Sequence, residues 1–279
     1  MRQLEAAGWS VLPLVARSAA ELESQVREAL DPSDILLVVG GDGMVSLGVN
    51  IVATTGNSLA VFPAGTGNDF ARGLGYDVEA IDQNVGRLIA GLKAEPQDCD
   101  LARVTGEGDE VFERLIGGVV SAGFDAHVNV RANRMRFPRG ASRYTWAILA
   151  ELIGLRPRAY RLGVDGVPSE HRAVLISVAN NSYMGGGMWV TPQGSLTDGW
   201  LDVFRVDPVS RSRLLRLLPS VFRGEHTDEP EVHIDRAREV FIDSPGIVAY
   251  ADGERLGNLP VRVSVVPAAV RIYRPAVVN

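Results

Sequence analysis

A short apolar run that ends in a glycine-rich turn is the feature that most limits how this chain folds. Residues 35–39, Ile-Leu-Leu-Val-Val, are followed directly by 40–43, Gly-Gly-Asp-Gly. Five apolar residues are too few for a helix, but they suit a strand covered on both faces, as in a parallel sheet. A second such run, 59–62, also ends in a glycine-rich loop, and segments with helical character lie between and after the two runs. This alternation predicts a parallel α/β sheet with ligands at the carboxyl ends of its strands.

The chain changes character near residues 95–96. Most later segments are short, rich in Val and Ile and separated by turn signals, which predicts a mainly antiparallel second unit. Two segments, 141–155 and 211–222, instead carry apolar residues at helical spacing. The last predicted strand, 270–273, fits either unit.

The composition narrows the classes of function. Of the 279 residues, 46% are hydrophobic and 22% are charged, so the chain can bury a large core. The net charge of −6 argues against a nucleic-acid partner, and a single cysteine, Cys99, cannot form an internal disulfide. No apolar run approaches the roughly 20 residues of a membrane span, and the N-terminus lacks a signal-peptide pattern. We therefore expect a cytoplasmic protein.

Glycines and acidic residues at the ends of buried strands suit phosphate binding. In residues 40–43 the glycines let backbone amides approach a phosphate, and Asp42 can hold a hydrated cation beside it. Taken alone, such a turn is also compatible with a simple bend. The loop 62–72, Phe-Pro-Ala-Gly-Thr-Gly-Asn-Asp-Phe-Ala-Arg, adds glycines, a hydroxyl, an amide and a carboxylate at the next strand end. Two such loops side by side predict a nucleotide-binding site.

Together the two loops resemble the catalytic domain of the diacylglycerol kinase and sphingosine kinase superfamily, in its bacterial soluble branch. Later segments resemble motifs of that family in the same order. They are 123–126 (Gly-Phe-Asp-Ala), 180–187 (Asn-Asn-Ser-Tyr-Met-Gly-Gly-Gly), 197–203 (Thr-Asp-Gly-Trp-Leu-Asp-Val) and 251–254 (Ala-Asp-Gly-Glu). The similarity covers nearly the whole chain. Families that share only the first turn, such as NAD kinases, are not expected to match the later motifs.

The resemblance implies an α/β + β fold. An N-terminal α/β domain like that of NAD kinases and phosphofructokinases would be followed by a larger C-terminal β-sandwich domain, with the acceptor entering the cleft between them. We expect the ATP-binding domain at 1–97 and the lipid-substrate domain at 98–266. Residues 267–279 are a candidate to return to the first domain.

The resemblance also implies site residues. ATP is expected to contact Gly40, Gly41, Asp42, Gly43, Gly65, Thr66, Asn68 and Asp69. Asp42, Asp69 and Asp100 are expected to form the carboxylate and water network around a catalytic Mg²⁺. A structural Mg²⁺ is expected at the turn 195–200, bound by the Asp198 side chain and the backbone carbonyls of Ser195 and Trp200. Oxygen ligands of this kind suit a hard cation.

The family's loop resembling 251–254 supplies the carboxylate that takes the proton of the lipid hydroxyl. Phosphoryl transfer needs an aligned nucleophile and compensated phosphate charge, so this carboxylate should face the cleft. Asp252 and Glu254 are both candidates. Glu254 is preferred as proton acceptor, with Asp252 orienting it or substituting for it. Asp-Gly-Glu after an apolar strand is also an ordinary hairpin turn.

The N-terminal segment departs from the family pattern. Ser18 and Glu21 match a capping box, which predicts a helix directly after Ser18. Residues 1–8 resemble the end of a helix and 9–15 a second strand, so a first strand with an Asn-Pro loop is expected to be missing. Met44 replaces the usual threonine after the first turn. These departures leave open a non-catalytic lipid- or nucleotide-binding protein.

The sequence thus predicts an ATP- and Mg²⁺-dependent lipid kinase, a transferase that converts diacylglycerol to phosphatidic acid in phospholipid synthesis. A sphingoid base or another lipid alcohol is the alternative acceptor. We expect transient contact with the inner membrane surface, and a homodimer is compatible with the resembling branch. The candidate membrane contact, with a solvated loop as the alternative, is the basic stretch of Arg131, Arg134, Arg136, Phe137 and Arg139.

Overall fold

The structure, a computed structural model, describes residues 1–123 and 156–277 together with Val128, Arg131, Ala147, Ala150 and Glu151. Most of the helix predicted at 141–155 and most of the 123–126 motif therefore lie outside the described residues. Of the basic stretch only Arg131 is described, and its guanidinium pairs with the carboxylate of Glu151.

Helices and strands alternate in the first part of the chain, and strands dominate the rest. The elements are α1 (Arg2–Ala6), α2 (Ala19–Ala29), β1 (Ile35–Gly40), α3 (Asp42–Thr55), β2 (Ser58–Pro63), α4 (Asp69–Gly73), α5 (Ile81–Gly91), β3 (Gln97–Gly106), β4 (Glu113–Ile116), β5 (Val119–Gly123), β6 (Arg158–Val164), β7 (Val167–Ala173), β8 (Leu175–Ala179), β9 (Tyr183–Met184), β10 (Met188–Trp189), β11 (Leu201–Val206), α6 (Arg211–Arg223), β12 (Val232–Ala237), β13 (Glu239–Asp243), β14 (Val248–Ala251), β15 (Glu254–Asn258) and β16 (Val261–Tyr273). Within the described ranges, no helix has the length and apolar character needed to cross a bilayer.

Local sequence signals set the helix ends of the first part. The Ser18 hydroxyl accepts a hydrogen bond from the amide of Glu21 at 3.2 Å, and the Glu21 carboxylate accepts one from the amide of Arg17 at 3.0 Å. The first bond satisfies an amide that the helix itself leaves unbonded, and the second ties down the residue before the cap. The predicted start of α2 is confirmed. Helix α3 ends at Gly56, whose φ of 78° is the left-handed conformation that glycine adopts without strain.

The predicted parallel strands belong to an eight-stranded sheet. β1 pairs with β2 in parallel, and β2 pairs in parallel with the end of β16. The other strands of this sheet, β3, β4, β6, β7 and β13, are joined by antiparallel pairings. Val49 of α3 and Leu59 of β2 are fully buried between the helix and the sheet, as strands covered on their faces require.

The long strand β16 belongs to both parts of this sheet. Its first half, 261–266, pairs with β3 and β13. The register then shifts between Val266 and Val270, and residues 271–273 pair with β2. Because β3 and β16 run through both parts, the division at residues 97 and 98 stays a prediction.

A second sheet faces the antiparallel part of the first. Its six strands, in the order β12-β11-β8-β5-β14-β15, are all antiparallel. Val104 and Val263 from the first sheet form a common core with Val120, Ile176 and Leu201 from the second, and all five are fully buried. The result is a β-sandwich.

The strand predicted at 9–15 is wrong. Residues 9–16 form no regular element, although the side chains of Trp9 and Val11 pack partly buried against Leu4 and Leu88. An apolar segment becomes a strand only when its backbone joins a ladder. Here the side chains are covered without that pairing.

Candidate active site

The two glycine-rich loops follow the carboxyl ends of neighbouring parallel strands, at the same position in the ladder, and contact each other. Gly40 pairs with Pro63 in the ladder of β1 and β2, and the amide of Ala64 donates to the Gly40 carbonyl at 3.0 Å. A methyl group built on Gly65 would lie 2.4 Å from the Cα of Gly41, so a larger residue at position 65 would push the loops apart. The two loops therefore form one continuous surface at the sheet edge.

Helix α3 directs its N-terminus at this surface. It begins at Asp42, directly after Gly41, and its first amides have no partner within the helix. Unbonded N–H groups and the positive end of the helix dipole favour a phosphate at this position. Thr66 is exposed on the second loop, where its hydroxyl is open to a ligand. The loops can thus contact phosphate groups from two sides.

Asn68 holds the second loop in shape. Its side-chain oxygen accepts a hydrogen bond from the amide of Gly65 at 2.8 Å, and its side-chain nitrogen donates to the carbonyl of Gly65 at 2.9 Å. Its φ of 57° is left-handed, a conformation that asparagine tolerates better than most residues. The Asn68 side chain is therefore engaged within the loop and positions its neighbours.

Two carboxylates flank Gly67 at the start of α4. Asp42 accepts a hydrogen bond from the amide of Phe70 at 3.0 Å, which ties the first loop to the second. A methyl group on Gly67 would lie 2.7 Å from one oxygen of Asp42 and 3.6 Å from one oxygen of Asp69. The absence of a side chain at position 67 thus leaves room for both carboxylates on the same side of the loop.

The surroundings of Asp69 disfavour the charged form of its carboxylate. Burial raises its pKa to about 6, and the nearby charge of Asp42 adds to the increase. The amides of Gly186 and Gly187, which donate to its two oxygens at 2.8 and 2.7 Å, oppose the increase, as does the charge of Arg72. Donors have fixed the position of Asp69 without fully compensating its charge.

Asp252 reaches the same cleft from the far end of the chain. It lies between β14 and β15 with a left-handed φ of 49°, and its carboxylate accepts a hydrogen bond from the backbone of Gly118. Burial raises the pKa of Asp252 to about 7, followed in effect by the charges of Asp42, Asp69 and Glu254. Glu254 itself is exposed at the start of β15. The predicted acids of both loops and of the 251–254 hairpin therefore lie close enough together to influence one another's charge.

Arg72 is a cation beside these acids, and the sequence analysis predicted no role for it. A methyl group on Gly187 would lie 3.3 Å from the central guanidinium carbon, and the buried Nε of Arg72 has no hydrogen-bond partner among the residues that the structure describes. Its charge lowers the pKa of Asp69 and of Tyr183 against the effect of burial. Its place as the last residue of the 62–72 motif is the sequence feature that points to this position.

The β9–β10 hairpin was part of the resemblance but had no predicted function. Gly186 and Gly187, with φ values of 86° and 111°, form the turn that directs two amides at Asp69. The rings of Tyr183 and Trp189 stack beside it, with centroids 5.6 Å apart and planes 8° from parallel. Only residues able to adopt these left-handed conformations fit the turn. The hairpin therefore positions Asp69.

Both carboxylate oxygens of Asp100 bind backbone amides, and its predicted place in the water network of a catalytic Mg²⁺ stays a prediction. One of its oxygens accepts a hydrogen bond from the amide of Gly199 at 2.7 Å and the other from the amide of Ala268 at 2.9 Å. Ala268 belongs to the irregular part of β16, and Gly199 belongs to the turn 195–200. Asp100 thus fastens this turn to β16, and none of its hydrogen bonds reaches Asp42 or Asp69.

Arginines surround the turn 195–200. Asp198 accepts a hydrogen bond from the amide of Trp200 at 3.1 Å and forms an ion pair with Arg236. The guanidiniums of Arg236 and Arg238 lie 5.4 and 4.8 Å from the centre of the Trp200 ring. Just beyond the turn, burial raises the pKa of Asp202 to about 6, and the charge of Arg236 opposes the increase. The negative charge of Asp198 is therefore neutralised by Arg236 and stabilised by the Trp200 amide.

The two predicted Mg²⁺ sites differ in how well their residues fit the ion. Mg²⁺ binds one or two carboxylates and completes its shell with water and phosphate oxygens, so Asp42 and Asp69 fit a nucleotide-bound ion. Among the described residues no three acidic, histidine or cysteine side chains are grouped to hold a metal unaided. At the other turn the Asp198 carboxylate already pairs with Arg236, so it fits less well. The carbonyls of Ser195 and Trp200 are the remaining predicted ligands there.

An α/β unit with glycine loops at its strand ends, joined to a β-sandwich, is the architecture that the resemblance predicted. Residues 2–104 match the family model of the diacylglycerol kinase catalytic domain, and residues 118–274 match that of the YegS C-terminal NAD kinase beta sandwich-like domain. The chain belongs to the diacylglycerol kinase and YegS-like lipid kinase family. The predicted family and the predicted fold class are confirmed.

Individual relatives agree with this assignment. The chain is 38% identical over 275 residues to a diacylglycerol kinase of Mycobacterium tuberculosis, covering 98% of this chain and 87% of that protein. It is 28% identical over 268 residues to a YegS-like lipid kinase of Stenotrophomonas maltophilia, covering 92% and 84%. A crystal structure of a diacylglycerol kinase from Bacillus anthracis shares the fold, with a TM-score of 0.68 at 19% identity, covering 97% of this chain and 88% of the other.

Proposed function

We propose that this protein transfers the γ-phosphoryl group of ATP to the hydroxyl of a membrane lipid, with 1,2-diacylglycerol as the acceptor. The products are ADP and phosphatidic acid. One observation carries the proposal: Asp42 and Asp69, beside the glycine loops, lie close enough to Asp252 of the β-sandwich to raise its pKa. A phosphate site and a proton acceptor thereby face each other.

The glycine loops are proposed to hold the triphosphate. Backbone amides of 40–43 and the Thr66 hydroxyl would bind phosphate oxygens, while Asn68 keeps the second loop in place through Gly65. Asp42 and Asp69 would hold a Mg²⁺ ion, which would supply positive charge to the phosphate oxygens during transfer. Arg72, whose Nε has no partner among the described residues, would add a second positive charge beside Asp69.

Asp252 is proposed to take the proton from the lipid hydroxyl as that oxygen attacks the γ-phosphorus. Sequence reasoning preferred Glu254, but Glu254 is exposed, whereas Asp252 is half-buried and held by Gly118. A general base works best when its pKa lies near the operating pH, and burial raises the pKa of Asp252 toward that range. Glu254 would assist by keeping that pKa high through its negative charge.

Transfer of radiolabel from ATP to lipids in mixed micelles tests the proposal. The panel would contain diacylglycerol, a sphingoid base and a monoacylglycerol, and labelled phosphatidic acid is the expected product. Asp42→Ala should lower turnover by about a thousandfold or more while the variant stays folded, because the metal and phosphate network loses a carboxylate. Asp109→Ala, at an exposed acid, is the matched control.

The other outcomes each have a definite meaning. Label on a different lipid alcohol would keep the mechanism and change the acceptor. Near-normal turnover of Asp42→Ala would contradict the proposed site. A folded protein that binds nucleotide but labels no lipid would favour a non-catalytic binding protein.

A further inference from the structure

Helix α6 covers the β9–β10 side of the sandwich with only one of its faces. Leu217 is buried, and Leu214 and Val221 on the same face pack partly buried against the core beneath. The Ser210 hydroxyl accepts a hydrogen bond from the amide of Arg213 at 3.2 Å and caps the helix start. The orientation of the helix is therefore fixed, and so is the face that it turns outward.

The outward face carries large apolar side chains. Leu215 and Phe222 are 42% and 43% exposed, and their spacing of seven residues aligns them along the helix. Pro219, also exposed, lies between them on the same side. One exposed leucine is ordinary on a soluble protein, whereas these three side chains form a continuous apolar strip along one helix face.

Arginines border this apolar strip, on a chain whose net charge is −6. Arg216 is exposed, donates to the Ser212 carbonyl at 3.2 Å and forms no ion pair with any described residue. Arg213 points to the other side of the helix, where Glu229 and Glu231 bind it. The acids that follow α6 therefore engage the flank of the helix.

Arg211 and Arg223 extend the basic border to both ends of the helix. Both are exposed, and Arg223 pairs with Glu225 at 2.6 Å in an ion pair that is itself open to water. Exposed ion pairs of this kind are weak, so an anionic surface can compete for the arginine. The outward face of α6 thus joins an apolar strip to arginines at both ends.

We infer that the outward face of α6, formed by Leu215, Pro219, Phe222 and the bordering arginines, docks the protein on an anionic lipid bilayer. The inference rests on the proposed lipid-kinase function. Apolar side chains would enter the acyl boundary while arginines stay among anionic headgroups, as in helices that lie along a membrane surface. The charge of the border selects a bilayer with anionic lipid over a neutral one.

The position of α6 suits access to a lipid. The helix packs against β10, and a methyl group on Gly224 at its end would lie 2.8 Å from the Trp189 ring. The same hairpin supplies the Gly186 and Gly187 amides that hold Asp69. Docking through α6 therefore brings the bilayer to the hairpin that supports the catalytic cleft.

Sedimentation with sucrose-loaded vesicles, without ATP, tests the docking surface. Vesicles of phosphatidylcholine with about one third phosphatidylglycerol should bind the parent protein more tightly than pure phosphatidylcholine. The double change Leu215→Ser with Phe222→Ser should weaken binding at least tenfold. Arg216→Gln should weaken it about fivefold, equivalent to about 1 kcal/mol per arginine, on the anionic vesicles only. The controls are Val167→Ser and Arg172→Gln, at exposed positions of β7.

A second measurement separates docking from catalysis. With a short-chain diacylglycerol dissolved as monomers, the double variant should keep parental turnover, and with long-chain diacylglycerol in anionic vesicles it should lose it. Equal losses in both assays would overturn the inference, because the helix would then act through the fold. Parental vesicle binding by the double variant would also overturn it. So would a stable parental dimer that the double change dissociates.

Discussion

Two regions of this molecule hold acidic side chains in turns, and they treat negative charge in opposite ways. At the turn 195–200, Asp100 reaches in from β3 and accepts hydrogen bonds from the amides of Gly199 and Ala268, and Arg236 pairs with Asp198. In the cleft, Asp69 and Asp252 have raised pKa values, because burial and neighbouring acids both disfavour their charged forms.

The difference separates a structural use of aspartate from a chemical one. When amides and guanidiniums bind both oxygens of a carboxylate, the group connects segments of the chain and has little capacity left to bind a ligand. A group of half-buried carboxylates that outnumber the arginine beside them, Arg72, retains negative charge that an incoming metal ion can neutralise. An aspartate with uncompensated charge at a strand end is therefore a better candidate for a functional role than an aspartate chosen by residue type alone.

The largest expected effect would show which acid of the 251–254 hairpin belongs to the cleft group. Asp252→Asn should lower kcat by about 10²- to 10⁴-fold, the usual contribution of a general base. Glu254→Gln should lower it less than about tenfold. Binding of ATP, measured by calorimetry, should change little in either variant, because a base acts mainly in the transition state. The reverse ranking of the two kcat values would return the base to Glu254.

A smaller effect is expected when a side chain is added at Gly67, beside the carboxylates of Asp42 and Asp69. Gly67→Ala would place a methyl group 2.7 Å from an oxygen of Asp42, and we expect kcat/KM to fall about tenfold or more, since displacement of a catalytic group has a large effect on rate. Gly86→Ala is the matched control, because a methyl group there meets open space. Equal kinetics for the two variants would show that Asp42 does not need its observed position.

The turn 195–200 should respond in stability rather than in rate. Asp100→Asn turns one acceptor into a donor that faces an amide, which costs about 1 to 3 kcal/mol. That corresponds to a fall in Tm of about 5 °C at this chain size, to be measured by calorimetry against Asp109→Asn. An unchanged Tm with turnover reduced a hundredfold would instead support the predicted place of Asp100 in the metal network.

The smallest effect concerns pH. The pKa values of Asp69 and Asp252 lie at about 6 and 7 in the folded protein and near 3.8 in the unfolded chain. The folded state therefore binds more protons between about pH 4 and 7, and the free energy of unfolding decreases as pH rises through that window. Without Mg²⁺ we expect the free energy of unfolding to fall from pH 5 to pH 8, and to fall less in Asp252→Asn. Denaturant titrations that give the same slope for both proteins would contradict the raised pKa of Asp252.

Features that depend on neighbouring residues could be predicted from the sequence. The cap of Ser18 and Glu21 and the buried strands before the two glycine loops arise within a few residues, and the structure contains them. The chemical character of Asp42 and Asp69 followed from their place at strand ends. The strand predicted at 9–15 fails because pairing depends on a partner that the segment does not specify.

Features that depend on distant contacts could not be predicted. Gly186 and Gly187 bond to Asp69, more than one hundred positions earlier in the chain. The left-handed backbone at Asp252 decides which of the two hairpin acids turns inward, and the sequence is compatible with either. Asp100 was assigned by resemblance, whereas its partners are amides from two remote segments.

The thirteen-residue strand β16 connects the two parts of the first sheet, with an irregular stretch between Val266 and Val270. One end is bonded into the sandwich and the other into the parallel sheet that carries the glycine loops. A wide hinge opening between these parts would have to break hydrogen bonds between strands. We therefore expect substrate entry and product release to depend on local movement of the loops around the site. The geometry between Asp252 and the phosphate cradle would then be built in before any ligand arrives.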